Sequence, residues 1–185
     1  MRGVDGLWQL WGVGDGLPDL PATAVHAGRD GTVWVGFEAP FDPSHPYDHD
    51  VLFKHDAKGW TSVSTPDIVR ASGIERIAED GEGALWVGAG IGNLARRDSN
   101  GRWTSVMDDH GWSALGVPLG VDQTGRLWTS NPLDHRLFVH EPDGTWREVA
   151  FPDGTSASAA VDIAFAPDGR AWLATRSVRA FDPAR

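Results

Sequence analysis

Tryptophan recurs along this chain at a spacing that few folds can satisfy. Four Trp sit inside short apolar runs: Val33-Trp34-Val35-Gly36, Leu85-Trp86-Val87-Gly88, Leu127-Trp128-Thr129 and Ala171-Trp172-Leu173. Four more open a Trp-x-x-Val or Trp-x-x-Trp pattern, at Trp8 to Trp11, Trp60 to Val63, Trp103 to Val106 and Trp146 to Val149. From the second kind to the next of the first kind the interval is 26, 26, 25 and 26 residues. The apolar runs follow Asp/Gly turns, at Asp30-Gly31, Asp80-Gly81, Asp122 to Gly125 and Asp168-Gly169. The Trp of the apolar run returns every 42 to 52 residues, with several short strands per return, which is the signature of a propeller blade.

Four strands fit in each unit. The innermost covers 23–27, 74–78, 115–121 and 160–165; the second is the Leu-Trp-Val-Gly run; the third covers 51–54, 93–96, 136–139 and 178–181; the fourth is the Trp-x-x-Val segment. Turn residues such as Ser99-Asn100-Gly101 and Asp143-Gly144 mark hairpins, where glycine supplies positive φ. The eight in-register Trp are expected to pack between blades. The blades then run about 21–63, 73–106, 114–149 and 159–182, in a single domain. The last unit stops after its third strand, and Leu7 to Gly12 is the candidate for its fourth. The expected fold is therefore an all-β propeller of four four-stranded blades per chain, the N-terminal strand completing the last blade. Pairing the two ends removes exposed sheet edges. It produces either a closed four-bladed ring or half of an eight-bladed homodimer.

Composition narrows the function classes. The formal charge is −10 and no basic block is present, so neither nucleic acid nor an anionic membrane surface is an expected partner. No apolar run approaches a membrane span, and Met1 to Gly12 lacks the pattern of a signal peptide. The absence of Cys excludes thiol catalysis and Cys-ligated zinc. There is no P-loop, no Gly-x-Ser-x-Gly and no His-Glu-x-x-His.

The segment Gly16-Leu17-Pro18 to Val25, followed by Asp30-Gly31-Thr32-Val33-Trp34-Val35-Gly36, resembles the two-component regulator propeller repeat. Ile74 to Gly88 resembles it again, and 160–175 more loosely. The units around Trp128 and Trp172 are also similar to repeats of virginiamycin B lyase-type propellers, which are enzymes. The first resemblance implies an extracytoplasmic sensor propeller, commonly with many blades. This chain departs from it in having four units, one Gly-Leu-Pro element and no kinase. A propeller fold does not define a function; its site does.

Propeller ligands usually meet the face that carries the variable loops, those joining strand four to the next strand one and strand two to strand three. One of these is long: Trp34 to Trp60 spans 26 residues, against 17 and 18 in the next two units. The excess lies in Glu38 to Asp50, which holds His45, Tyr47, Asp48, His49 and Asp50. Imidazole and carboxylate together suit a divalent ion, so His45, His49, Asp48 and Asp50 are the candidate ligands for Zn, Ca or Mg. Two other loops on that face carry Asp-His neighbours, Asp109-His110 and Asp134-His135, the candidate acid–base groups. Trp112 lies outside the repeat register, and with Tyr47, Glu75, Arg76 and Arg136 it makes the candidate ligand-contacting set. Asp162 and His26 are further polar residues on inner strands.

The leading expectation is a module that binds a small molecule or a protein partner through loops 38–50, 107–112 and 130–136. A small metal-assisted enzyme of lyase, isomerase or hydrolase type is the alternative, and a purely architectural half-propeller that assembles by strand exchange is a third. The expected location is cytoplasmic if Met1 is the native start, and extracytoplasmic if the chain is a piece of a sensor protein.

Overall fold

The computed structural model describes residues 8–39, 44, 49–90, 92–106, 116–131, 135–151 and 160–183. Blade 1 consists of β1 (Ala22–Ala27), β2 (Val33–Phe37), β3 (Leu52–Asp56) and β4 (Gly59–Ser62). Blade 2 has β5 (Arg76–Glu79), β6 (Leu85–Ala89), β7 (Asn93–Arg97) and β8 (Trp103–Val106). Blade 3 has β9 (Val117–Val121), β10 (Leu127–Ser130), β11 (Leu137–His140) and β12 (Trp146–Glu148). Blade 4 has β13 (Asp162–Phe165), β14 (Ala171–Ala174) and β15 (Val178–Phe181). Strands pair antiparallel in chain order within each sheet, so the four-blade expectation holds.

Period-two alternation gives every sheet two working faces. Odd and even positions of the second strand point to opposite neighbours, so the sheets of blades 2 and 3 each contribute to two cores and those of blades 1 and 4 to one. One core joins blades 1 and 2 through Trp34, Leu52, Ile74 and Val87. A second joins blades 2 and 3 through Ala78, Trp86, Leu127 and Phe138. The third joins blades 3 and 4 through Trp128, Val139, Ile163 and Leu173. Fully burying one Trp removes about 150–250 Å² from water, roughly 4–6 kcal/mol gross before the entropy of ordering. The outermost strands show the opposite character: Thr61, Ser62, Thr104, Ser105, Arg147 and Glu148 face solvent and blunt the sheet edges.

The seams share one rule. Trp34 of blade 1 lies under the Arg97 guanidinium of blade 2 at 5.6 Å. Trp86 of blade 2 meets His140 of blade 3 at 4.9 Å and Trp146 at 5.8 Å. Trp128 of blade 3 meets Phe181 of blade 4 at 5.7 Å. Arg97, His140 and Phe181 each end the third strand of their blade. The second-strand Trp of one blade thus enters a socket at the end of the third strand of the next.

Two of these Trp are latched by a carboxylate. Asp80 accepts from Trp86 Nε1 at 2.7 Å, and Asp122 accepts from Trp128 Nε1 at 3.0 Å. The same carboxylates accept from the backbone N–H groups that close the first hairpin, Ala84 on Asp80 and Arg126 on Asp122. The equivalent positions in blades 1 and 4 are Gly28 and Ala166, as the shared N–H to carbonyl closure of each hairpin shows. This pairing also corrects the expected register of the second turn. Its positive-φ glycine is Gly83 at φ 80°, matching Gly31, Gly125 and Gly169, whereas Asp80-Gly81 sits two residues earlier and Gly81 abuts Gly125 of the next blade.

The expected closing strand is not formed. Among the described residues blade 4 has three strands, and Trp8 to Gly12 belong to no sheet. Trp8 is 97% exposed, so it does not pack between blades. Trp11 instead lies on the open face of blade 1, 5.7 Å from His55 and 5.9 Å from Trp60. The chain leaves that contact through a 3-10 turn at Val13–Asp15, closed by Gly16 at φ 94°. The strand contacts run from blade 1 to 2, 2 to 3 and 3 to 4, and no strand of blade 4 packs substantially on blade 1 among the described residues.

Candidate functional site

At the loop face, the first residues of the inner strands surround the mouth of the channel. Glu75 and Val161 hold equivalent places, each donating its backbone N–H to the end of the second strand, at Gly88 and Ala174. Arg76 follows Glu75 into β5, and its guanidinium reaches from blade 2 to blade 4, donating to the Val161 carbonyl at 3.0 Å. Partial desolvation raises the Glu75 carboxyl above its ordinary range, and the neighbouring Arg76 charge pulls it back in part. Asp162 turns onto its own strand, where its carboxylate accepts from the Ile163 N–H at 3.1 Å. Arg76 thus bonds blade 2 to blade 4, with Glu75 and Asp162 each next in sequence to one of the two bonded residues.

The long loop leaves blade 1 through a closed neck. Phe37 donates to the Val51 carbonyl at 2.8 Å, Glu38 to Pro21 at 3.0 Å, and Ile74 to Phe37 at 3.0 Å. Thr23 Oγ1 lies within hydrogen-bond reach of the Ile74 and Gly36 carbonyls, tying blade 1 to blade 2 at the same level. Gly73 seals the neck: at φ 70° it is in glycine territory, and a Cβ there would sit 2.5 Å from the Ala39 nitrogen. Of the residues expected in this loop to hold a metal, His49 and Asp50 line a cleft of about 360 Å³ with Leu17, Pro18, Leu20 and Phe53. His45, Tyr47 and Asp48 lie outside the described residues. Among the described residues no group of three or more His, Asp or Glu is placed to hold a metal ion.

The remaining candidates separate. His135 is exposed in the loop between β10 and β11 and is the one non-glycine at positive φ among the described residues, at 61°. Its backbone N–H donates to the Asn131 carbonyl at 3.0 Å. Arg136 points to the outer strands: its guanidinium lies 5.0 Å from the Phe138 ring and pairs with Glu148 at 3.5 Å. Asp109, His110, Trp112 and Asp134 lie outside the described residues. The structure thus places Arg76 against the Val161 carbonyl of blade 4, and His49 with Asp50 in a separate cleft. His26 sits at the hairpin end of β1, 3.7 Å from Glu79 of blade 2, far along the strand from the mouth.

Three features escaped the sequence reading. The Val161 carbonyl is a backbone group that no residue pattern announces. Helix α1 (Asp67–Arg70) covers the link between blades 1 and 2 and buries Val69; Pro66 before it, with a following Asp, was a legible start signal. A cleft of about 760 Å³ lies between the N-terminal segment and the open face of blade 1, lined by Leu10, Trp11, Val25, Val35, His55 and Trp60.

No protein-family model and no curated protein sequence matches the chain. Solved structures do. Virginiamycin B lyase from Staphylococcus aureus superimposes with a TM-score of 0.65 at 15% identity, over 90% of this chain and 54% of the lyase chain. The extracellular domain of BT4673, a candidate one component system of B. thetaiotaomicron, gives a TM-score of 0.64 at 18% identity, over 90% of this chain and 22% of that chain. An auxiliary nutrient binding protein from Bacteroides thetaiotaomicron gives 0.60 at 12% identity, over 87% of this chain and 38% of that one. Both propeller groups that the repeats resemble are therefore represented among the structural neighbours. The chain spans about half the length of the lyase, and the likeness at these identities is one of fold: four consecutive β-propeller blades.

Proposed function

We propose that this chain is a binding propeller module whose ligand, a small polar molecule or a protein segment, sits on the loop face at the channel mouth. The observation that carries this reading is the Arg76 guanidinium, which crosses from blade 2 to the Val161 carbonyl of blade 4 beside Glu75. The guanidinium, the Val161 carbonyl and the neighbouring Glu75 carboxyl offer donor and acceptor groups close together, the kind of polar set that orients a ligand. The likeness to a nutrient binding protein and to the extracellular domain of a one component system agrees with a binding role.

The test is a thermal-shift screen of sugars, amino acids and short peptides, with hits measured by calorimetry on wild type and on Arg76→Ala and Glu75→Gln. A true mouth ligand raises stability by about 2.7 kcal/mol at one hundred times its Kd. Arg76→Ala should weaken it at least about tenfold, because one charge-assisted contact is removed. Hits that bind both variants as tightly as wild type would move the site elsewhere. The likeness to the lyase favours one second reading, an enzyme using the same face, with His135 and His49 as the described histidines there. Turnover that disappears with a chelator, or in His135→Ala, distinguishes it from simple binding.

A further inference from the structure

The Trp of blade 1 has no carboxylate latch, because Gly28 stands where blades 2 and 3 have Asp80 and Asp122. The basic residues of that seam therefore have different surroundings. Lys54 stands opposite Trp34 across β2 and β3, as Arg96 stands opposite Trp86 across β6 and β7. Arg96 lies 3.8 Å from Asp80 and 3.3 Å from Glu82, whereas Lys54 turns along its own strand to Asp56 at 2.9 Å. Arg97 comes to the seam from blade 2, its guanidinium 5.6 Å from the Trp34 ring. Its Nε is buried without an acceptor, and no carboxylate pairs with it among the described residues. Gly101, at φ 83°, leaves room for it: a Cβ there would stand 2.8 Å from Nη2.

Arg97 lines a groove of about 620 Å³ between the outer strand of blade 1, the chain that follows it, and the hairpin joining β7 to β8. Lys54, Ser62, Ser64, Thr65 and Trp103 line it too, and among the described residues no Asp or Glu does. In a chain with 26 acidic against 16 basic residues, that is a local reversal of sign. Thr65 is 4% exposed, and its Oγ1 is buried with no hydrogen-bond partner. Two buried polar atoms without partners, Thr65 Oγ1 and Arg97 Nε, thus belong to residues of one groove; packing alone seldom tolerates that cost. The Ser64 carbonyl is already taken, accepting from the Trp103 indole N–H at 2.8 Å. The polar side-chain groups that remain are a guanidinium, an ammonium and three hydroxyls, all able to donate to an oxyanion.

We propose that this groove binds the tetrahedral oxyanion group, phosphate or sulfate, of a small molecule. Arg97 supplies the planar fork of N–H donors, Lys54 a point charge on a flexible stem, and Thr65 a hydroxyl donor. The anion brings to this seam the negative charge that Asp80 and Asp122 bring to the next two. A tetrahedral group suits the set better than a planar carboxylate. The donors come from two blades, Lys54 and Thr65 with blade 1 and Arg97 with blade 2, and the two oxygens of a carboxylate would be used up by the Arg97 fork alone. A bound anion therefore ties blade 1 to blade 2 at their outer rim.

Calorimetric titration of the full chain with inorganic phosphate, and separately with sulfate and with acetate, tests this in a low-salt, phosphate-free buffer. Phosphate or sulfate should bind with a Kd of about 1 mM, the strength of two charge-assisted contacts, and more weakly as salt is raised. The tighter of the two identifies the ester. Thr65→Val keeps the shape of the side chain and removes its hydroxyl. It should weaken the anion about fivefold, yet leave the urea midpoint of the anion-free chain unchanged or raised, because that hydroxyl has no partner within the protein. Arg97→Gln should weaken binding at least about tenfold, and Lys54→Gln replaces it as the charge test if Arg97→Gln does not fold. The proposal is overturned if neither phosphate nor sulfate binds wild type saturably, if acetate binds as tightly as they do, or if Thr65→Val binds them as wild type does. A lowered urea midpoint for Thr65→Val would overturn it as well, since the hydroxyl would then serve the fold. No residue of the channel mouth lines the groove, so failure here leaves the binding reading standing.

Discussion

Replacing Asp122 by Ala probes the latch that holds blade 3 together. The carboxylate is buried, its side chain 4% exposed, and it accepts from Thr124 N–H at 2.9 Å, Thr124 O–H at 2.7 Å, Arg126 Nε at 2.7 Å and Trp128 Nε1 at 3.0 Å. Removing it leaves the Trp128 indole N–H unpaired in a core from which water is excluded, about 1–3 kcal/mol. It also strands Arg126, whose side chain is 15% exposed, and breaking a buried pair brings the total to about 3–5 kcal/mol. For a chain of this length each kcal/mol moves Tm by about 2–4 °C, so the loss should be near 10 °C. Asp122→Asn should recover little, because its amide sets a donor against the indole and guanidinium donors. Asp168→Ala, in the equivalent hairpin of blade 4 but at an exposed carboxylate, should stay within about 0.5 kcal/mol. Urea unfolding followed by Trp fluorescence measures all three. A loss below about 1 kcal/mol for Asp122→Ala, or one equal to that of Asp168→Ala, would refute the latch. The pH dependence has a definite sign. Burial raises the Asp122 carboxyl, but hydrogen bonds from Trp128, Thr124 and Arg126 outweigh it, so the folded value lies below the ordinary 3.8. Its contribution is full above the unfolded pKa and disappears as pH falls through the folded one, so wild type and Asp122→Ala should converge in acid.

Other outcomes follow from the same geometry. Burial against Trp86 lowers the His140 pKa below the ordinary 6.5, with Arg96 assisting and Asp80, Glu82 and Asp143 opposing, so protonation favours the unfolded chain. Stability should fall as pH drops below that ordinary value. His140→Phe, which copies the socket residue Phe181, should flatten the dependence in urea titrations between neutral and mildly acid pH. Trp86→Ala should destabilise by about 3–5 kcal/mol, whereas Trp172→Ala in dilute solution should change stability by less than about 1, both read from urea midpoints. Gly116→Ala should prevent normal folding of blade 3 by circular dichroism, since its φ is 91° and a Cβ would meet the Ser130 carbonyl oxygen at 1.9 Å.

The blades were legible because inter-blade packing needs a large apolar residue at a fixed strand position, and Trp marks it. The Asp80 and Asp122 latches were legible too, as a carboxylate six residues before the Trp, but the search for Asp-Gly turns put Asp80-Gly81 in the wrong register. The misplaced closing strand has a clear cause. Trp8 to Trp11 copies the spacing of an outer strand, yet the pattern does not say whether Trp11 pairs along an edge or fills a socket, and in the single chain the socket wins. Site residues were harder to read, because loops carry no periodicity. Glu75 and Arg76 were found only because they begin an inner strand, and nothing in Val161 itself reveals that its carbonyl meets Arg76. The contacts of Arg136 were not legible, because Phe138 and Glu148 become neighbours only after β11 pairs with β12.

The central claim is that Trp side chains relay from blade to blade, with Trp86 and Trp128 seated in a neighbouring blade and Trp172 left 45% exposed. Hydrogen exchange at the indole N–H groups, resolved by ¹⁵N-edited NMR on a dilute sample, tests it at each Trp. Trp86 and Trp128, buried and latched by Asp80 and Asp122, should exchange as slowly as the core amides, while Trp8 and Trp172 exchange at nearly the free rate. A Trp172 indole as protected as that of Trp86, at a mass of one chain, would mean that blade 4 closes onto blade 1 and would contradict that exposure.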